Sequence, residues 1–196
     1  MKPSMKLSDI EIRDITGSDA ALCRDLCNEL MKFQAELSTI RTDVLQAMTF
    51  ENRLKPSFEK AEIKKLLLAL DNQKPIGYAY ADVEDINKEA RYYVPEWASN
   101  IYTPGHLMFF PPQQKLPARL GTFNNLYIKP DYHGMGLGDK LSLYVMRWIK
   151  GIDKISGIYV YVSNGNEKVA DFYKKYGFKF SHEVLGGFIT AYYQDI

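Results

Sequence analysis

The sequence predicts a mixed α/β fold of the α+β type, with helices packed on one central sheet. Three observations carry this. Strand-like and helix-like segments follow one another in the order β, α, α, β, β, a long insert, then β, α, β, α, β, β. No internal repeat or low-complexity linker divides the chain, so residues 1–196 read as a single domain. With 46% hydrophobic and 25% charged residues, the composition is that of a globular protein able to bury a sizeable core.

Residues 1–7 read as a loose leader. DIEIRDI, from Asp9 to Ile15, alternates apolar and polar residues and forms the first strand. Ser18 stands where an N-cap is needed, and AALCRDLCNELMKFQAEL continues with helical periodicity. A second helical region begins near Asp43, with Pro56 imposing a break or a new start. Leu66–Leu70 and Ile76–Val83 make a hairpin about the turn Asp71–Lys74. Gly121–Ile128 is the next strand. In DKLSLYVMRWIK the apolar residues at 141, 144, 145, 148 and 149 define a helical stripe. SGIYVYV, Ser156–Val162, is rich in β-branched and aromatic residues and reads as a strand. NEKVADFYKKYG is a helix closed by Gly177, and FKFSHEV and FITAYYQ are two last strands around Gly186-Gly187.

The insert from about Asp85 to Leu120 holds Tyr92, Tyr93, Trp97, Tyr102, Phe109 and Phe110. That is too aromatic for a solvated linker, so it is expected to pack on the domain, with a position over the acceptor site as one option.

Charge and composition narrow the function. The formal net charge of +1 gives no bulk electrostatic reason to expect nucleic acid or an anionic membrane as partner. No run approaches the roughly 18 apolar residues of a membrane span, and MKPSMKLSDIEI lacks a signal-peptide core, so a cytoplasmic location is expected. Cys23 and Cys27 share one helix face, but two thiolates do not complete a tetrahedral metal site. They read as small apolar helix residues in a reducing compartment. His106, His133 and His182 have no metal-ligand spacing with nearby carboxylates, so no metal is expected; nor does any serine sit in a G-x-S-x-G elbow.

The chemistry concentrates in PDYHGMGLGDKL, Pro130–Leu141, which joins a strand to a helix. A dinucleotide loop requires glycine where Asp139 stands, and the phosphate loop of nucleoside triphosphatases fails at the same position. What remains can bring successive backbone N–H groups onto a diphosphate, since glycine accepts positive φ and the following helix adds its dipole. A glycine-rich turn with no ligand is the alternative reading.

From Ile128 to Gly138 the chain resembles the coenzyme A pyrophosphate loop of the GCN5-related N-acetyltransferase (GNAT) superfamily, Q/R-x-x-G-x-G/A. It matches at Pro130, Gly134, Gly136 and Gly138 and departs at His133, where the family has Arg or Gln. NEKVADFYKKYGF, Asn166–Phe178, resembles a second family motif, N-x-x-A-x-x-L-Y-x-x-x-G-F, with Val169 in place of Ala.

The resemblance implies a mixed sheet of about 6–7 strands with helices on both faces, and a V-shaped splay between the strand before the glycine loop and the next. It implies an acyl-coenzyme A-dependent N-acyltransferase. Acetyl-coenzyme A would be the co-substrate, and a primary amine on a small molecule or peptide would attack directly in a ternary complex. Leu126, Tyr127 and Ile128 would hold the pantetheine arm. His133, Gly134, Met135, Gly136, Leu137, Gly138 and Asp139 would surround the diphosphate, and Asn166 and Phe172 would line the same site. Tyr173 would protonate the departing thiolate; a packed aromatic is its alternative role, as helix capping is for Asn166. The strand position where many members carry Glu reads Phe123-Asn124-Asn125, so no base is assigned; Glu84, Glu96, His106 and Glu183 are the candidates in view. Asp82, Glu84, Asp85, Glu89 and Glu96 offer an acidic cleft for a polycation. A coenzyme A-binding regulatory module without turnover is the alternative function, and a homodimer is an open option by analogy.

Overall fold

A computed structural model of the chain describes residues 7–196. Most of the expected leader lies outside the described residues; Leu7, its last residue, packs against the main core. Seven strands form one sheet: β1 (Glu11–Asp14), β2 (Ile63–Asp71), β3 (Lys74–Ile86), β4 (Ala118–Ile128), β5 (Ile155–Ser163), β6 (Lys179–Val184) and β7 (Ile189–Asp195), in spatial order β1-β2-β3-β4-β5-β7-β6. Every neighbouring pair is antiparallel except β4 and β5. The helices are α1 (Arg24–Leu37), α2 (Thr42–Gln46), α3 (Leu54–Lys60), α4 (Leu137–Lys150) and α5 (Lys168–Lys174).

Local chemistry accounts for these elements. The β2–β3 hairpin turns on Asn72 and Gln73, whose φ values of 45° and 65° are those of a two-residue turn matched to strand twist. The first helical segment is capped by Asp19 and not by Ser18. The Asp19 carboxylate accepts from the Ala21 N–H at 2.8 Å, and a 3-10 turn over Ala20–Cys23 leads into α1. Pro56 lies in the first turn of α3, where its missing N–H removes no helical bond. In α4 the buried arc is Leu137, Leu141, Ser142, Val145, Met146 and Ile149. Tyr144, expected in that stripe, turns outward and is 51% exposed.

Alternation along β2 sends Leu67 and Ala69 to one face and Leu66, Leu68 and Leu70 to the other. The first face is covered by α4 and α5, the second by α1 and α3. The insert builds a third apolar cluster, in which Ala98, Ile101 and Met108 meet Tyr159, Val184 and Phe188. It is pinned by His182 Nε2 donating to the Met108 carbonyl at 2.7 Å and by Tyr161 Oη donating to the Phe109 carbonyl at 2.9 Å. Tyr92 and Tyr93, by contrast, stand exposed.

The feature that matters for function is where β4 and β5 separate. Their parallel pairing runs from Arg119↔Ile155 to Phe123↔Val160 and ends there. Tyr80 of β3 faces Asn125 while Ala81 faces Phe123, so Asn124 is an extra residue in β4. A bulge of this kind bends its strand and increases the local twist. Beyond it β5 continues with β7, and the segment Asn124–Ile128 has one open edge.

Candidate active site

A cleft occupies the opening between the two strands. β4 supplies Phe123 to Leu126, β5 supplies Tyr161 and Val162, α1 supplies Leu30 and Gln34, and Asn166, Val169 and Tyr173 close the far side. A wider groove of about 430 Å³ beside Lys179, Phe180 and Gln194 contains none of the candidate catalytic or coenzyme-binding residues. The narrower cleft brings together Leu126, Asn166 and Tyr173, three of the candidate residues, and is the candidate site.

At one end of the cleft lies the glycine loop. Gly134 and Gly136 have φ of 76° and 80°, and Gly136 begins α4 with no side-chain cap. Among the described residues, the N–H groups from Gly134 through Asp139 donate to no acceptor, whereas the Lys140 N–H already bonds the Gly136 carbonyl. A run of free donors at a helix N-terminus has the chemistry to receive an anion. The His133 ring is exposed and folds back, Nε2 donating to the Ile128 carbonyl at 2.7 Å, so it braces the loop on the end of β4. Leu137 is buried in the core, and the Asp139 carboxylate accepts the Tyr176 hydroxyl; these two residues offer the cradle only their backbone. Phe172 closes the loop's inner side, its ring 3.8 Å from where a Cβ on Gly138 would stand.

The Tyr127 side chain points away from the cleft and donates to Glu29 Oε2 on α1 at 3.1 Å, and Leu126 and Ile128 pack into the main core. Of this trio only the backbone along the open edge of β4 is available for hydrogen bonding to a ligand. Tyr173 is 6% exposed and held edge-on by Phe123, Phe172 and Phe178. Burial raises its phenol well above the ordinary range, and its hydroxyl has no partner among the described residues. It is both a packed aromatic and a neutral donor in the cleft wall. The Asn166 side chain caps nothing: the N-cap of α5 is Glu167, and the Asn166 amide forms no side-chain bond among the described residues.

Of the acidic and imidazole candidates, Glu84, Glu96 and Glu183 are exposed, and Asp85 is paired with Arg119 at 2.7 Å. His106 packs against Gly186, and burial lowers the pKa of His182. Of the acidic set, Asp82 on β3 differs from the others in being only 8% exposed. Its Oδ2 accepts from Asn124 Nδ2 at 2.8 Å and from Tyr80 Oη at 3.2 Å, and Tyr80 in turn meets Ser57 Oγ at 3.2 Å. Burial pushes this carboxyl up to about 7, with the charge of Glu84 adding to the effect. The sequence held a signal: Tyr78, Tyr80 and Asp82 alternate along one strand, so a carboxylate occupies a core-facing position. No comparable signal marked Leu30, Gln34 or Tyr161, which reach the cleft through tertiary packing. Both cysteines are buried thiols, and no group of three or more His, Cys, Asp or Glu able to hold a metal occurs among the described residues.

Residues 62–180 match the family described as acetyltransferase (GNAT) domain. Solved structures with the same fold include an acetyltransferase from Thermus thermophilus, 21% identical, with a TM-score of 0.59 over 98% of this chain and 100% of that one. Another is the PaiA N-acetyltransferase from Thermoplasma acidophilum in complex with coenzyme A, 17% identical, TM-score 0.61, covering 95% and 99%. A third is Arabidopsis thaliana Naa50 with the bisubstrate analogue CoA-Ac-MVNAL, 16% identical, TM-score 0.53, covering 96% and 99%. At these identities the likeness is one of fold. No curated protein matches by sequence.

Proposed function

This chain belongs to the GNAT acetyltransferase family, and we propose that it transfers acetyl from acetyl-coenzyme A to a primary amine by direct attack in a ternary complex. The observation that carries this reading is the opening of β4 from β5 at Asn124, with a cradle of free amides at one end and the Tyr173 hydroxyl in its wall.

The thioester supplies the acyl group; the chain's part is to hold, polarise and exchange protons. The amides from Gly134 to Asp139 hold the diphosphate, and the open backbone edge of Leu126, Tyr127 and Ile128 bonds the pantetheine amides. An N–H near Tyr127 or Ile128 polarises the thioester carbonyl. The Asn166 amide bonds the same arm, and Phe172 walls it. As the C–N bond forms and the C–S bond breaks, the Tyr173 phenol gives its proton to the sulfur and recovers one from solvent. No covalent enzyme intermediate is required, because no nucleophile is placed to form one. The acceptor is a small-molecule amine or a peptide amine entering from the α1 and insert side. The chain works as one domain in the cytoplasm, without a metal.

The test is acetyl transfer from acetyl-coenzyme A to a panel containing 2-phenylethylamine, spermidine and a peptide with a free N-terminus. Tyr173→Phe is expected to lower kcat about 10²-fold and leave acetyl-coenzyme A affinity within threefold. Equal turnover by wild type and variant would remove Tyr173 from the mechanism. A second reading, a coenzyme A-binding module without turnover, draws on Asn124 and Asn125 standing where a carboxylate is usual. Tight acetyl-coenzyme A binding with no transfer to any amine selects it.

A further inference from the structure

We propose that Asp82 takes the proton from the attacking amine, reaching the acyl cleft from β3 through the gap opened beside Asn124; this rests on the acyltransferase reading above. An alkylamine with a pKa of ~10.4 is neutral in only one molecule in ~10³ at pH 7, and its nitrogen must lose a proton to become an amide. The cleft segment of β4 carries no carboxylate, so a carboxylate base acting there comes from another element.

Geometry selects Asp82. The bulge at Asn124 turns that side chain toward β3, and its Nδ2 donates to Asp82 Oδ2 at 2.8 Å. Asn124 also lines the cleft, so the carboxylate stands one hydrogen bond behind the cleft wall. Tyr161, another lining residue, feels the Asp82 charge from β5. Both hydrogen bonds from the protein go to Oδ2; none of the described residues donates to Oδ1.

An independent observation points to a nitrogen donor in the same place. Asn125 is 4% exposed, lines the cleft, and its Oδ1 is buried without a partner among the described residues. An acceptor oxygen left bare there calls for an N–H. An amine nitrogen in the cleft satisfies Asn125 Oδ1 with one N–H and offers another proton to Asp82 Oδ1, directly or through one water. Asn124 is a positioning residue: its bond fixes the carboxylate and leaves Oδ1 free.

The protons balance. The amine reaches the cleft neutral and attacks the thioester carbonyl; the C–N bond forms and the proton on the now cationic nitrogen passes to Asp82. The C–S bond breaks and the thiolate takes its proton from Tyr173. Asp82 then releases the proton from Oδ1 to water in the cleft, while Tyr80 keeps donating to Oδ2.

The groups facing Asp82 keep it poised near neutrality. Glu84 on its own strand disfavours the ionised form, whereas Asn124, Tyr80 and Arg53 favour it; burial is the largest influence and holds the value at about 7. Lys64, opposite on β2, has its ammonium on the Phe58 carbonyl at 2.6 Å.

The test compares wild type, Asp82→Asn and Tyr80→Phe with acetyl-coenzyme A and the amines named above between pH 5.5 and 9. Expected in wild type is a kcat/KM that rises through about pH 7. In Asp82→Asn that inflection should vanish and turnover should drop by about 10² or more, with stabilisation by acetyl-coenzyme A retained. Tyr80→Phe removes a hydrogen bond to the carboxylate and should move the inflection upward. Infrared difference spectra give a readout that needs no acceptor: a protonated-carboxyl band lost between pH 5.5 and 8.5 and absent in Asp82→Asn. Turnover in Asp82→Asn within about threefold of wild type with an unchanged pH profile, or no such band, overturns the proposal. If acetyl-coenzyme A fails to stabilise the wild type, the acyltransferase reading itself falls and takes this assignment with it.

Discussion

Asp82 remains protonated in the folded protein up to about pH 7, whereas its ordinary value is 3.8. Because the folded-state value is the higher one, protonation favours the folded state, and that contribution fades as pH rises from 3.8 through about 7. An uncharged isostere is free of this loss. Asp82→Asn is therefore expected to melt a few degrees above wild type at pH 8.5, with the advantage shrinking toward pH 5, as differential scanning calorimetry at the two pH values would show. An advantage independent of pH would mean that Asp82 is ionised throughout. A group that lowers stability at working pH is typical of a site maintained for chemistry. At this scale the sequence was uneven. Tyr173 and Asn166 could be read from their motif, and both line the cleft. Asp82 could be named only among several acidic residues, because what distinguishes it is a cross-strand bond to Asn124 that depends on a bulge. The helix cap was missed by one residue for a similar reason: Ser18 and Asp19 are both good caps, and only the backbone geometry at Asp19 decides between them.

Among elements, the glycine loop and the bulge do the shaping. Gly136 adopts φ of 80°, yet a Cβ there would meet nothing nearer than Leu7 at 3.8 Å, so substitution is opposed by backbone strain and not by a clash. Gly136→Ala should cost about 1–2 kcal/mol of stability. It should also weaken acetyl-coenzyme A binding at least tenfold, since relaxing φ turns the N–H groups of Leu137 and Gly138 away from a common point. Urea denaturation and calorimetric titration measure the two effects. Unchanged affinity would show that the cradle does not depend on this conformation. The loop was legible because glycine spacing between a strand and a helix is a local pattern. The bulge was not, as one extra residue in β4 becomes visible only against its partner register in β3. The α4 stripe was legible except at its edge, since the buried arc takes in Ser142 and Met146 and leaves Tyr144 outside it.

Across the whole molecule, two apolar clusters face the two sides of the sheet, and a third is created by the insert. Element order followed from periodicity and turn chemistry, whereas helices on both faces of the sheet were implied by the family resemblance. How the insert is held did not, because His182 on Met108 and Tyr161 on Phe109 are contacts between segments far apart in sequence. These contacts fix the insert beside Tyr161, a residue of the cleft wall. We propose that the opening between β4 and β5 and the amides after His133 form one acyl-coenzyme A site. A thermal-shift titration with acetyl-coenzyme A, run beside ATP and NAD, tests it most directly. Stabilisation by acetyl-coenzyme A alone, ~2.7 kcal/mol at about 100 times its dissociation constant and several degrees in melting temperature, is the expected result. No shift at millimolar acetyl-coenzyme A, or an equal shift with ATP or NAD, contradicts it.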